Sequence, residues 1–497
     1  GTCVESCPMD VFRLDTIAAR RPESSPCSLA CPLELNQREY HNLVKMDMLD
    51  EAAALLQARH PMPAVTGRIC PHPCESECSR GQVDEVININ GLEQYLGDYL
   101  LREETIPGIE ARGEKVAVIG SGPAGLSCAY NLALAGCDVT VFEKDAKPGG
   151  LLRYAIPVFR LSEEVLDRQI QVYERMGITF KTGAMFGRDV TRDDLAQQGY
   201  RAFVAATGAA KPIGLKVPGS DADGIISAIS FLKDARTGAV EKTAPNVVVV
   251  GGGSVALDAA RTALRLGAEK VTVICLEKLE LGLKDSMLAL ASEIDEAREE
   301  GITILPSLGV ESFEVTEGRV SGLACIECLS VRDEKGRFRP DYGACVQMDM
   351  DVDQVIIATG QTADGDLVPP IFNTNDMGFI AADPMTLHVD SELFAAGDAV
   401  SGPSTVVRAL ASGKKAALAI SRFLRGEEPI AEEGDKPVTA DGVPEGREIY
   451  LARRINRCNL EASVRVKGFR ETMQPLSAKE ARMESERCLT CGSRSKI

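Results

Sequence analysis

At 497 residues the chain is too long for one hydrophobic core and implies two to four domains. Its formal net charge of −18 excludes non-specific attraction to nucleic acid or to an anionic membrane surface, and no stretch approaches the roughly 20 continuous apolar residues of a membrane span. Residues 1–30 lack the charged, apolar and small-residue succession of a signal peptide, so the sixteen cysteines read as metal ligands in a reducing compartment, and the cytoplasm is the expected location.

The chain opens on GTCVESCP, with Cys3 and Cys7-Pro8 at the spacing of the second half of a ferredoxin run. The matching upstream cysteines are absent, so the numbering is expected to begin inside a longer natural chain. Residues 1–15 read as a ferredoxin-like fragment able to hold a further [4Fe–4S] cluster. Residues 16–110 form a small helical domain between cysteine clusters, with a helical pattern over Tyr40 to Leu56. Cys27 and Cys31 lie in PCSLACP, and Cys70, Cys74 and Cys78 in RICPHPCESEC. Thiolates spaced this closely in proline-containing loops indicate metal sites. Zinc is the competing reading. The Cys-Pro pairs at Cys7, Cys31 and Cys70 favour iron–sulfur, as does the redox setting that follows.

From residue 111 the pattern becomes βαβ. The apolar strand Val116 to Ile119 runs into GSGPAG, then an Ala/Leu-rich helix, then a strand ending at Glu143. Gly120 permits the tight turn, Gly122 lets the backbone approach a pyrophosphate, Gly125 lets helix pack on strand, and Glu143 is placed to bind ribose hydroxyls. A second unit repeats this with Val247 to Val250, the loop GGGSVA (Gly251, Gly253, Ala256) and a strand ending near Glu277. An acid there repels a 2′-phosphate, and no arginine lies between Ala268 and Ala297, which favours NAD(H) over NADP(H). Lys278 and Lys284 keep the alternative open. The strands RAFVAATGA and DQVIIATGQ flank the second unit, as if it were inserted in the first. The expected class is α/β, with two Rossmann-like dinucleotide-binding domains, the second inserted in the first, preceded by a helical iron–sulfur domain. The first domain is taken as 111–240 plus 356–425 and binds FAD; the second is taken as 241–355 and binds the nicotinamide. In LFAAGDAV, Gly397-Asp398 supplies an acid for a ribityl hydroxyl, with a turn cap as its alternative role. A helix starting near Thr405 aims its N-terminus at the flavin.

Residues 426–497 read as a linker and a cysteine-bearing tail, in which Ser477 and Glu480 start a helix that delivers Cys488 and Cys491. Cys325 and Cys328 share a strand at odd separation and so point to opposite faces. Cys128, Cys137, Cys275, Cys345 and Cys458 are scattered singly and read as small hydrophobes.

The runs GRICPHPCESEC, GSGPAGLSCAYNLA, GGLLRYAIPVFRL, GGGSVALDAAR, ATGQ and FAAGDAVSGPSTVVRALASGKKAA together resemble one family over about Pro26 to Gly426. It comprises the glutamate synthase small subunit, the N-terminal half of dihydropyrimidine dehydrogenase and the large subunit of NADH-dependent ferredoxin:NADP oxidoreductase. Carried onto these runs, the resemblance implies cofactor contacts at Gly120, Gly122, Pro123, Ala124, Gly125, Glu143, Gly150, Leu151, Arg153, Thr207, Gly208, Gly360, Gly397, Asp398, Thr405 and Val406. At the second loop it implies Gly251, Gly253, Ser254, Val255, Ala256 and Glu277. It further implies two [4Fe–4S] clusters in the helical domain, one held by Cys31, Cys70, Cys74 and Glu93 of INGLEQ. The other normally takes a C-x2-C upstream of Cys27, which this chain lacks. RCLTCG looks like that motif moved to the C-terminus, so Cys488 and Cys491 are expected to join Cys27 and Cys78; a separate tail cluster is the alternative. The expected activity is electron transfer by an FAD-dependent NAD(H) oxidoreductase subunit. Its expected partners are other subunits of a redox complex or a ferredoxin, with no nucleic acid and no membrane span. The alternatives are a glutamate synthase small subunit and a flavin-based electron-bifurcating subunit.

Overall fold

The computed structural model describes residues 23–109, 113–280, 282, 284–368, 371–429, 438–439, 443 and 449–491. Cys3 and Cys7 lie outside the described residues. The helical region is built from Pro26–Ala30, Gln37–Lys45, Leu49–Gln57, Pro63–Ile69, Pro73–Ser76 and Ile89–Glu103. Proline opens three of these helices, at Pro26, Pro63 and Pro73, where its missing N–H costs nothing. The apolar run from Tyr40 to Leu56 is two helices rather than one. It breaks at Met46–Met48, where Asp47 adopts a left-handed φ of 62°, and each half turns its own stripe to the core through Tyr40, Leu43 and Val44 and through Ala52 and Leu56. The mixed three- and four-residue steps record that break.

Two open parallel sheets follow. The first has the order 388–390, 393–395, 200–205, 115–119, 138–143, 179–182, parallel throughout except at its outermost strand. The second has the order 303–305, 270–274, 246–250, 354–357, 225–227, wholly parallel. A three-stranded antiparallel meander, 308–316, 319–332 and 338–351, hangs from the second unit. The boundaries differ from those expected at 240/241 and 355/356. Ile225–Ser227 pairs with Gln354–Ile357, so both strands belong to the second sheet, together with the helix Ala228–Thr237. A three-residue strand carries too little periodicity to reveal its sheet.

One continuous core joins the helical region to the first sheet. At its centre the helices Pro123–Leu134 and Val406–Leu424 cross at Gly413, where a Cβ would lie 2.0 Å from the Ala124 carbonyl oxygen. Only glycine fits there. Residues 449–491 strap these units together. Arg457 donates to the Gly67 carbonyl, Gln94 and Asn90 at 2.6, 2.6 and 2.7 Å, and Thr472 N donates to the Phe159 carbonyl at 3.0 Å. Arg465 pairs with Glu299 on the second unit at 2.5 Å. The tail helix Ala478–Glu486 starts on a capping box, Ser477 N donating to Glu480 at 2.8 Å.

Candidate flavin, nucleotide and iron–sulfur sites

The first glycine loop opens into a cavity of about 400 Å³. Gly120, Gly122, Pro123, Ala124, Glu143, Gly150 and Leu151 line it together with Thr207, Gly208, Asp398, Thr405 and Val406. Gly120 has φ 102°, and a Cβ there would meet the Ala206 carbonyl oxygen at 2.4 Å, so the turn requires glycine. Glu143 is buried and accepts from Ser121 N at 3.0 Å, from Ser121 Oγ and from Asp145 N at 2.8 Å. Burial raises the Asp398 carboxyl, which accepts from Ser404 Oγ at 2.7 Å. The helix Val406–Leu424 presents its unpaired first-turn amides to the cavity through Thr405 and Val406. Thr207 Oγ1 is buried there without a hydrogen-bond partner. An amide-rich helix end, a phosphate loop and an orphaned hydroxyl around one cavity fit an elongated dinucleotide such as FAD.

Four of the expected contacts behave differently. Arg153 does not line the cavity: it is buried, donates to the Pro148 carbonyl and pairs with Asp167, both at 2.6 Å. Gly125 is a packing residue, its Cβ position lying 2.0 Å from the Gly120 carbonyl oxygen. Gly397 likewise makes room for Ala124, whose Cβ would stand 2.6 Å from a Cβ there. Gly360, at φ 120°, does not line the cavity; its carbonyl accepts from Ile213 N at 3.0 Å.

The second loop is separate from this cavity. Gly251 needs φ 141° and approaches the Ala358 carbonyl. A Cβ at Gly252 would lie 2.4 Å from Glu277 Oε2, so the acid sits directly against the loop. Ser254 begins the helix Ser254–Arg265, with Val255 and Ala256 in its first turn, and its hydroxyl donates to Glu293 at 2.6 Å. Burial pushes the Glu277 carboxyl up, while Arg332 of the meander pulls it down. Sequence proximity could not reveal Arg332, because it reaches Glu277 from another strand.

The cysteines form two sets. Cys27, Cys78, Cys488 and Cys491 line one small cavity together with His41 and Arg80. Cys31, Cys70 and Cys74 gather instead around Glu93, each raised by burial and by that carboxylate. Cys27 and Cys31 are one helical turn apart, Cys31 N donating to the Cys27 carbonyl at 3.2 Å, and Cys74 and Cys78 repeat the spacing. Each pair therefore sends one thiol to each set. Burial pushes the Cys27 thiol up to about 11 and raises Cys488 as well. Such thiols are protonated at neutral pH and become ligands only when a cationic group displaces the proton. Two neighbouring side chains present orphaned polar atoms: the buried Tyr40 hydroxyl, which senses Glu93, Cys74, Cys31 and Cys27, and both ring nitrogens of His41. Among the described residues no three ligand side chains converge as they would on one metal ion. Four thiols around one small cavity, with unpartnered donors beside them, fit a polynuclear cluster.

Glu93 Oε1 accepts from Thr66 Oγ1 at 2.5 Å and lies 3.3 Å from His60 Nε2, while His60 Nδ1 accepts from Met62 N at 3.2 Å. That hydrogen bond fixes the proton on Nε2. These supporting residues carry no sequence signal. Cys325 and Cys328 are both buried, with a register shift between them; Cys328 lies toward Cys275, and Cys325 toward Asp349. Cys345 and Cys458 are exposed, unlike the hydrophobes they were expected to be, and no disulfide joins any of the described cysteines.

The architecture defines a class in which a dinucleotide-binding flavoenzyme core follows an iron–sulfur domain. The family profile for pyridine nucleotide-disulphide oxidoreductases matches residues 114–413, and that for the 4Fe-4S cluster domain II of dihydropyrimidine dehydrogenase matches residues 17–105. The NADP(+)-dependent formate dehydrogenase subunit beta of Moorella thermoacetica is 34% identical, over 94% of this chain and 70% of its own length. The NADPH-Fe(3+) oxidoreductase subunit beta of Geobacter sulfurreducens is 32% identical, over 85% of this chain and 66% of its own. The glutamate synthase [NADPH] small chain of Escherichia coli is 31% identical, over 80% and 88%. Mycobacterium tuberculosis FprA in complex with NADPH shares the fold, with TM-score 0.54 at 16% identity over 63% of this chain and 85% of that one. The chain belongs to the pyridine nucleotide-disulphide oxidoreductase family, in its branch that carries an N-terminal 4Fe-4S domain and includes the glutamate synthase small chain. It is an NAD(P)H-dependent flavin and iron–sulfur oxidoreductase. No described helix is long and apolar enough to cross a membrane.

Proposed function

We propose that this chain is the electron-transfer subunit of a larger redox complex, exchanging electrons between NAD(H) at the second loop and a ferredoxin-like partner. FAD in the first cavity would accept hydride and release single electrons, the chemistry that such a cofactor supplies. The chain's contribution is placement. Glu143 and Asp398 both line the cavity, and the amides at Thr405 and Val406 favour negative charge beside them. The observation that carries the reading is the helix Val406–Leu424. It begins at the cavity and, two turns on, places Lys414 within the field of Cys31, donating to the Leu33 carbonyl at 3.4 Å. Cys31, Cys70, Cys74 and Glu93 are thus the inner cluster set, and Cys27, Cys78, Cys488 and Cys491 the outer set. Relatives named as subunits support a place in a complex.

Anaerobic stopped-flow mixing with NADH should bleach flavin absorbance first and the broad iron–sulfur absorbance afterwards. Absence of the second phase would defeat the reading. The names of the relatives include both NAD and NADP, so Glu277 carries the preference. Its carboxyl is raised, so it takes up a proton at higher pH than a free glutamate. As pH falls through that raised value, the charge that repels a 2′-phosphate is lost, and NADP(H) gains on NAD(H). Glu277→Gln should shift the ratio of kcat/KM values toward NADPH about tenfold at pH 7, roughly 1.4 kcal/mol, and remove its pH dependence. A wild type that prefers NADPH would refute the assignment.

A further inference from the structure

The second loop faces an electrostatic problem. Ser254, the first residue of its helix, donates to Glu293 Oε2 at 2.6 Å; the same oxygen accepts from Leu290 N at 3.1 Å, and Ala289 N donates to the Gly252 carbonyl at 3.2 Å. A carboxylate is therefore one hydrogen bond from the place where a dinucleotide's pyrophosphate docks. Asp258, one helical turn further on, is a second buried carboxylate. Two acids beside a helix N-terminus cancel the partial positive charge that the amides offer a phosphate.

The cation that touches both acids comes from the other half of the flavoenzyme core. Arg160 belongs to the turn after the short helix Leu151–Tyr154, in the half of the chain that forms the flavin cavity. Its Nη1 lies 2.8 Å from Asp258 Oδ2 and its Nη2 2.7 Å from Glu293 Oε1. The turn is clamped in place. Phe159 is fully buried beneath the guanidinium groups of Arg261 and Arg265, 4.8 and 4.0 Å from its ring centre. Those two arginines have their own acids, Glu296 at 2.7 Å from Arg261 and Glu300 at 2.6 Å from Arg261 and 2.7 Å from Arg265. They are not free to replace Arg160.

We propose that Arg160 is a positioning residue that completes the nucleotide site of the second loop from the flavin-binding half, neutralising Asp258 and Glu293 so that the loop accepts a pyrophosphate only while the two halves are seated together. This rests on the reading that the second loop holds the nicotinamide nucleotide.

The test measures dissociation constants of NAD⁺ and NADP⁺ on the full-length, cofactor-loaded protein, by calorimetry and by perturbation of the flavin spectrum. Arg160→Gln should weaken whichever nucleotide the wild type binds by tenfold or more, with FAD and iron contents unchanged, and added salt should recover part of the loss by screening. Glu293→Gln should bind as tightly as wild type or a few-fold tighter, and Arg160→Gln/Glu293→Gln should recover most of the affinity. A purely structural pairing predicts the opposite for Glu293→Gln, namely weaker binding. An unchanged constant in Arg160→Gln, or weakening in Glu293→Gln, overturns the proposal. Should Arg160→Gln lose its FAD, the sign of the Glu293→Gln effect decides alone. A wild type that binds neither nucleotide would overturn the functional reading itself, and this inference with it.

Discussion

The inner and outer cysteine sets share two four-residue cysteine pairs yet are completed in opposite ways. Cys27 and Cys31 stand one turn apart, while Cys74 and Cys78, four residues apart in sequence, flank the end of the helix Pro73–Ser76, so each pair serves both sets. The inner set closes with Cys70 and Glu93, all within the helical domain. The outer set closes only when Cys488 and Cys491 arrive from the far end of the chain. A site built from contiguous sequence is available as soon as its domain folds. One that needs the tail reports whether the whole molecule has assembled.

The largest expected effect follows from that difference. Cys488→Ser/Cys491→Ser should remove one cluster, about four iron atoms per chain, while the inner set keeps its own. Iron analysis with electron paramagnetic resonance of the reduced protein reads this directly. Loss of all iron, or of none, would erase the distinction between the sets. Flavin should still be reduced by NADH in this variant, because its cavity shares no residue with the outer set.

A smaller effect comes from the anchor that holds the tail in place. Glu484 is fully buried; its carboxylate accepts from Asn88 N and Ile455 N, both at 2.8 Å, and from Arg487 at 2.7 Å. Arg487 in turn bonds Asp84 at 3.1 Å and the Glu85 carbonyl at 2.5 Å. Glu484→Gln removes one of the two carboxylates on the buried Arg487 guanidinium and leaves Asp84 as the other, at a cost of about 2 kcal/mol. Heating should then release outer-set iron at a lower temperature than inner-set iron, whereas wild type loses both closer together. Equal shifts for the two sets would show that the tail does not act selectively.

How much of this was legible depended on whether a feature is local. The glycine loops, their acids, the tail's capping box and the division of the cysteines into two sets could be anticipated because each rests on short spacing or on family runs. Arg153 was expected at the cofactor and is found on Asp167, since a motif records that an arginine is present but not which way it turns. Ile225–Ser227 joined the second sheet through pairing with residues far along the chain. Arg332, His60 and Thr66 carry no spacing signal at all, and Arg160, although it lies in the run GGLLRYAIPVFRL, shows its role only when folding brings it to Asp258 and Glu293.

The finest test of the inner set concerns its odd member. Glu93 is held by Thr66 and lies beside His60, so its carboxylate is fixed before any cluster binds. Replacing it with glutamine keeps size and one acceptor oxygen but removes a negative charge beside the three thiols. An electron added to the inner cluster is then repelled less, and its reduction potential should rise. A tenfold change in the one-electron equilibrium is about 60 mV, the shift expected for Glu93→Gln in a potentiometric titration followed by electron paramagnetic resonance. The outer cluster should move by much less, since Glu93 bears directly on Cys31, Cys70 and Cys74. Thr66→Val, which removes the hydroxyl that holds Glu93 Oε1, should shift the inner potential by a smaller amount with iron content unchanged. If Glu93→Gln moved both potentials alike, the carboxylate would be acting through the general field of the protein, and its membership of the inner set would have to be given up.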